Sequence, residues 1–138
     1  MEITPKQTCE DLLCLVWRVK SAMLQVAESY GLTPVQLFAL HTILQGGSTM
    51  GGVAGQMQCD ASNVTGVIDR LVMHQLVVRA ESESDRRTKT LALTDKGREL
   101  IQKIIDALPE KLGCSQLGAA ERQALRTVLE VLSKSARI

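Results

Sequence analysis

Two short runs carry the side chains best suited to chemistry with a polyanion. Ser62-Asn63-Val64-Thr65-Gly66, followed by Asp69-Arg70, offers small hydrogen-bonding groups in close succession, and Asp85-Arg86-Arg87-Thr88-Lys89 concentrates positive charge. A helix that begins with small polar side chains can enter a DNA major groove about 12 Å wide and reach base edges or phosphates. Ser62, Asn63 and Thr65 fit that role, with Asn63 the candidate for an adenine contact, and Arg70 and Lys89 add partners for phosphates. Arg86 and Arg87, at the tip of a polar loop, are placed to reach the backbone or a narrow minor groove, where the negative potential is strongest. Taken one at a time, each run also has a plain explanation, as a capped helix start or a solvated loop.

Other chemistry is sparsely supplied. No glycine-rich phosphate loop follows a strand, and no Ser/His/Asp or Cys/His grouping has supporting local spacing, so the expectation is a protein that is not an enzyme. His41 and His74 are far apart and no acidic cluster accompanies them, so neither a metal nor another cofactor is expected. Cys9, Cys14, Cys59 and Cys114 lack a C-x-x-C spacing and are expected to stay thiols in a reducing cytosol. At about 100° per residue, Cys9 falls on the apolar face of the first helix, and Cys14 falls opposite with Glu10, Trp17, Arg18 and Ser21. Arg18, one turn on, would favour the Cys14 thiolate, so Cys14 and then Cys9 are the candidate redox residues. Trp17, Tyr30, Phe38 and His41 could line a small-molecule pocket, or simply be core and edge residues.

The elements that must hold these groups are helical. The 138 residues are 45% hydrophobic and 22% charged, and only 2% aromatic, which favours a core of packed aliphatic helices over aromatic-rich strands. A net charge of +1 does not by itself announce nucleic acid, so that case rests on local pattern. No apolar run of about 18 residues occurs, and the first residues lack a signal-peptide core, so no membrane association and a cytoplasmic location are expected.

Leu12, Leu13, Val16, Val19, Met23, Val26, Ala27 and Tyr30 recur at helical spacing and predict a first helix over about 9–30. Gly31 stops it, and Thr33-Pro34-Val35-Gln36 supplies an N-cap, a proline at N1 and a capping-box glutamine for a second helix to about Gln45. Gly46-Gly47 ends that helix, and Ser48 or Thr49 caps a third that runs to Met57 despite Gly51, Gly52 and Gly55. Asp60 or Ser62 caps a fourth, with Val64, Val67, Ile68, Leu71 and Val72 inward. Leu76–Ala80 and Thr90–Leu93 then predict a hairpin around a charged tip. Thr94 caps a fifth helix that Pro109 or Gly113 interrupts, and a sixth spans about 119–136 with Leu125, Val128, Leu129 and Leu132 as its stripe.

From Asp85-Arg86-Arg87 through Leu91-Ala92-Leu93-Thr94-Asp95-Lys96-Gly97 the chain resembles the wing and following helix of the MarR family of transcription regulators, whose pattern is D-x-R, a strand, then L-T-x-x-G. Gly31-Leu32-Thr33-Pro34-Val35-Gln36 is similar to the family's G-L-T-P-x-Q, and Ser62-Asn63-Val64-Thr65 with Asp69-Arg70-Leu71 is similar to its recognition helix. The resemblance covers nearly the whole chain. It implies a mainly α fold with a small β-hairpin wing, a winged helix-turn-helix dimerising through its N- and C-terminal helices. The organisation expected is a single domain over 1–138, with the winged helix at about 34–94 and the dimer helices at about 8–30 and 95–136. It also implies that Arg87 enters the minor groove with Asp85 as its brace.

The same resemblance implies a repressor acting as a homodimer on double-stranded DNA at an imperfect palindrome. Release would come from a small aromatic effector or from oxidation of a helix 1 cysteine. The chain departs from the family pattern at Ala61, where an arginine is common, at Gly66, where a polar or basic side chain is common, and at Gln75, the usual helix-ending glycine. These departures motivate an alternative, a non-catalytic dimeric protein-interaction module on a winged-helix scaffold with degraded DNA binding.

Overall fold

A computed structural model describes residues 1–57, 61–81 and 89–135, with Ala61 and Ser62 described by their backbone alone. Residues Met1–Ile105 form one compact unit and Asp106–Ile138 a second.

In the first unit, α1 spans Pro5–Ser29, four residues longer at its start than the apolar periodicity indicates. Thr4 and Gln7 form a capping box around Pro5 at N1, so the helix starts where its orphan N–H groups find an acceptor and not where its apolar stripe begins. Only Met23, Val26 and Ala27 of α1 are buried; Leu12, Leu13, Val16 and Val19, which share its apolar face, are 38% to 61% exposed.

The second helix, α2 (Pro34–Leu44), starts on the predicted capping box: Thr33 Oγ1 accepts from the Gln36 N–H and Gln36 Oε1 from the Thr33 N–H. Leu37, Leu40 and Ile43 of α2 are buried. Helix α3 (Met50–Met57) is capped by Thr49, whose hydroxyl accepts from the Gly52 N–H, and it buries Val53 and Ala54. Helix α4 (Ala61–Met73) buries Val64, Ile68 and Leu71, residues spaced four and three apart on one face.

Strands β1 (Val77–Glu81) and β2 (Lys89–Leu93) pair antiparallel, with Val77 opposite Leu93, Arg79 opposite Leu91 and Glu81 opposite Lys89. The segment before α3 extends this hairpin: the Ser48 carbonyl accepts from the Leu91 N–H at 2.7 Å and Thr49 bridges to Thr90. The expected loop tip, including Asp85, Arg86 and Arg87, lies outside the described residues, as does Cys59.

Two joints fix α4 against the strand that follows and against α5 (Asp95–Lys111). At the end of α4, Gln75 adopts a left-handed φ of 61°, while the N–H of Leu76 reaches the Leu71 carbonyl and that of Gln75 reaches Val72, the two bonds of a Schellman ending. At the start of α5, the Thr94 hydroxyl accepts from the Gly97 N–H at 2.9 Å and donates to the Gln75 carbonyl at 2.6 Å. Thr94 also donates its N–H to the Leu76 carbonyl, and a Cβ on Gly97 would overlap that carbonyl oxygen. Glycine at 97 is therefore required by close approach of two backbones, not by a special φ. Ile101 and Ile104 are fully buried.

The second unit begins within α5. Pro109 lies inside this helix without ending it; Gly113, at φ 75°, is the stop. A 3₁₀ turn over Cys114–Gln116 leads to α6 (Ala119–Ser135), none of whose residues is buried. Its stripe of Leu125, Val128, Leu129 and Leu132 stays exposed. No helix among the described residues is long and apolar enough to cross a membrane.

Candidate nucleic-acid interface

Burial of Val64, Ile68 and Leu71 decides which side of α4 is presented outward. At about 100° per residue, Gly66 sits at the centre of the opposite face, with Asn63 and Arg70 on one flank and Thr65 and Asp69 on the other. All five are exposed. Gly66 has nothing within 4 Å of the position a Cβ would take, so the middle of this face is bare backbone. Ser62 belongs to the first turn of α4, and its side chain lies outside the description.

The two flanks differ in charge. Asp69 pairs with Arg79 of β1, a contact between recognition helix and hairpin that single-element patterns do not reveal. On the other flank, Asn63, Gly66, Val67 and Arg70 line a cavity of about 240 Å³ together with Thr33 and Gln36 of α2. Lys89 stands exposed at the outer end of β2, opposite Glu81.

Of the four residues proposed for a small-molecule pocket, two come together. Trp17 and Phe38 line an apolar cavity of about 570 Å³ with Lys20, Leu24, Pro34 and Val35. Tyr30, the residue that caps the end of α1, and His41, one turn beyond Phe38 on α2, are not among the lining residues. The Lys20 ammonium sits 5.1 Å from the centre of the Trp17 ring, the only charge among the described residues of that cavity. Lys20 belongs to no sequence motif; its signal is its spacing three residues from Trp17. Cys9 and Cys14 of α1 are both exposed, which removes the expected contrast between a buried and a solvent-facing thiol; Cys114 is exposed as well.

Three consecutive helices, α2 to α4, the last with a polar outer face, followed by a two-stranded hairpin, define a winged helix-turn-helix. A family model described as the MarR family matches residues 32–89, from the residue before the α2 cap to the start of β2. The HTH-type transcriptional repressor MdtR of Bacillus subtilis is 37% identical over 87 residues, which cover 62% of this chain and 56% of MdtR. The HTH-type transcriptional regulator YhbI of the same organism is 34% identical over 119 residues, 80% of this chain and 74% of YhbI. Among solved structures, BpsR of Bordetella bronchiseptica, whose DNA binding is regulated by 6-hydroxynicotinic acid, superposes with a TM-score of 0.74 at 27% identity, over 92% of this chain and 98% of BpsR. The chain belongs to the MarR family of transcription regulators, and its match spans a little over half of MdtR's length.

Proposed function

We propose that this protein is a cytoplasmic, sequence-specific DNA-binding repressor that acts as a homodimer. The observation that carries the reading is the outer face of α4, where Asn63, Thr65, Gly66 and Arg70 are exposed on a helix anchored by three fully buried aliphatic residues. Ser62, Asn63 and Thr65 would meet base edges or phosphates in the major groove, and Arg70 and Lys89 phosphates. Arg86 and Arg87 would reach the backbone or minor groove, with Asp85 bracing Arg87. Exposed apolar residues on α1 (Leu12, Leu13, Val16) and on α6 (Leu125, Val128, Leu129) supply the surface for a second copy. A two-fold pair sets two recognition helices about one helical turn of DNA apart, which requires an imperfect palindrome.

Release from DNA would come through the cavity beside Trp17 and Phe38, whose apolar walls and single ammonium suit a small aromatic acid, or through oxidation of Cys14 or Cys9. The DNA-binding behaviour of BpsR supports the first route. Selection from a random duplex pool tests the reading: the protein should enrich a two-half-site sequence. Enrichment of no sequence at low salt would favour a winged-helix interaction module instead.

A further inference from the structure

We propose that the notch between α2 and α4 seats one phosphate of the DNA backbone, held by Arg70 and the amide group of Gln36, so that α2 is a third DNA-binding element beside the recognition helix and the wing. The proposal rests on the DNA-binding reading above and extends it to a helix that no base-reading argument involves.

Gln36 is the informative residue. It is only 7% exposed, and its Oε1 is committed to the Thr33 N–H in the capping box. That assignment leaves the NH₂ group as the free end of the side chain, because a backbone N–H needs an acceptor. Among the described residues the NH₂ has no hydrogen-bond partner, yet none of their buried side-chain nitrogens or oxygens is left unsatisfied. The NH₂ therefore opens to the surface, and the surface cavity that Gln36 lines is this notch.

The rest of the notch suits an anion. Its described lining contains Arg70 and the Asn63 amide but no carboxylate. The acid on α4, Asp69, lies on the opposite flank and is occupied by Arg79. The notch opens beside the first turn of α2, where the helix dipole presents its positive end. A volume of about 240 Å³ admits a phosphate oxygen cluster with hydration, and the missing side chain at Gly66 keeps the approach along the helix face clear. These are the properties of a position that fixes the register of a helix in the groove without reading sequence.

The sequence-independence of a phosphate contact makes the proposal testable. Binding would be measured by fluorescence anisotropy on a duplex selected by the wild-type protein and on a scrambled one, across a salt series. Arg70→Gln should weaken binding by about tenfold on both duplexes and make the slope of log K against log salt shallower by about 0.9. Gln36→Glu keeps a capping-box acceptor at N3 but places a carboxylate in the notch, so it should weaken both duplexes similarly. Its combination with Arg70→Gln should cost less than the product of the two single effects, because both act on one phosphate. Arg70 is exposed, so its variant remains decisive even where Gln36→Glu lowers stability. A loss confined to the selected duplex, or no loss on either, overturns the proposal. If the wild-type protein binds neither duplex, the DNA-binding reading itself fails, a result distinct from the other two.

Discussion

Asp69 on α4 and Arg79 on β1 form an ion pair that ties the recognition helix to the first strand of the hairpin. Their side chains are 55% and 31% exposed, and pairs of that kind contribute only about 0–1 kcal/mol to stability. Its proposed consequence is geometric: it links two elements that, on the DNA-binding reading, meet one stretch of DNA together. Asp69→Asn removes a negative charge from the DNA-facing helix, so electrostatics alone would raise affinity. The expected outcome is the reverse, a fall of several-fold with little change in Tm, measured by anisotropy and thermal melting on the same preparations. A rise in affinity would show that the pair does not position the helix.

Gly97→Ala should destabilise the protein by about 1–3 kcal/mol, because a methyl group there meets the Leu76 carbonyl, whose carbon would lie 2.9 Å away. Backbone must move, and the Thr94 bonds to Gln75 and Leu76 move with it. Denaturant titration monitored by circular dichroism checks this; an unchanged midpoint contradicts the close approach.

Gln75→Gly should have the opposite sign. The left-handed conformation at Gln75 costs a side chain roughly 1–2 kcal/mol, part of which glycine's greater freedom in the unfolded chain offsets. A net gain of about 0.5–1 kcal/mol is expected in the same titration.

How much of this was legible in the sequence depends on how far apart the cooperating residues lie. Thr33-Pro34-Val35-Gln36 was readable because cap, proline and glutamine are adjacent and an apolar stripe starts at once. Thr4-Pro5-Lys6-Gln7 carries the same grammar and starts α1 in the same way, but the residues after it do not open an apolar stripe, and a reading led by periodicity begins the helix too late. Of the five α4 residues that spacing places inward, Val64, Ile68 and Leu71 are buried, while Val67 and Val72 flank that face and are only half-buried. The Asp69 to Arg79 pair and the approach of Gly97 to Leu76 join different elements, and their partners emerge only when the hairpin register and the α4 ending are known. Periodicity marks Leu12, Leu13 and Val16 as an apolar face, and their exposure shows that their own chain leaves it uncovered. Tyr30 and His41 were grouped with Trp17 and Phe38 by chemistry, but position along each helix, not residue type, selects which side chains line the cavity.

The cavity beside Trp17 gives a direct optical test, since Trp17 is the chain's single tryptophan. Titration with salicylate should change its emission saturably, and Lys20→Gln should weaken that binding by about tenfold while leaving the weaker binding of neutral phenol unchanged, because only the acid uses the ammonium. Equal effects on acid and phenol would remove Lys20 from the recognition.

On the proposed function, the outer face of α4 reads DNA sequence. The most direct measurement of this is the affinity of the full chain for a duplex selected from a random pool, compared with a scrambled duplex of the same length and composition at one fixed, near-physiological salt concentration. The selected duplex should be preferred by at least about 10³-fold, and that preference should fall sharply in Asn63→Ala, because base contacts carry discrimination and phosphate contacts do not. Equal affinity for the two duplexes, or a preference that Asn63→Ala leaves intact, would rule out sequence reading by this face.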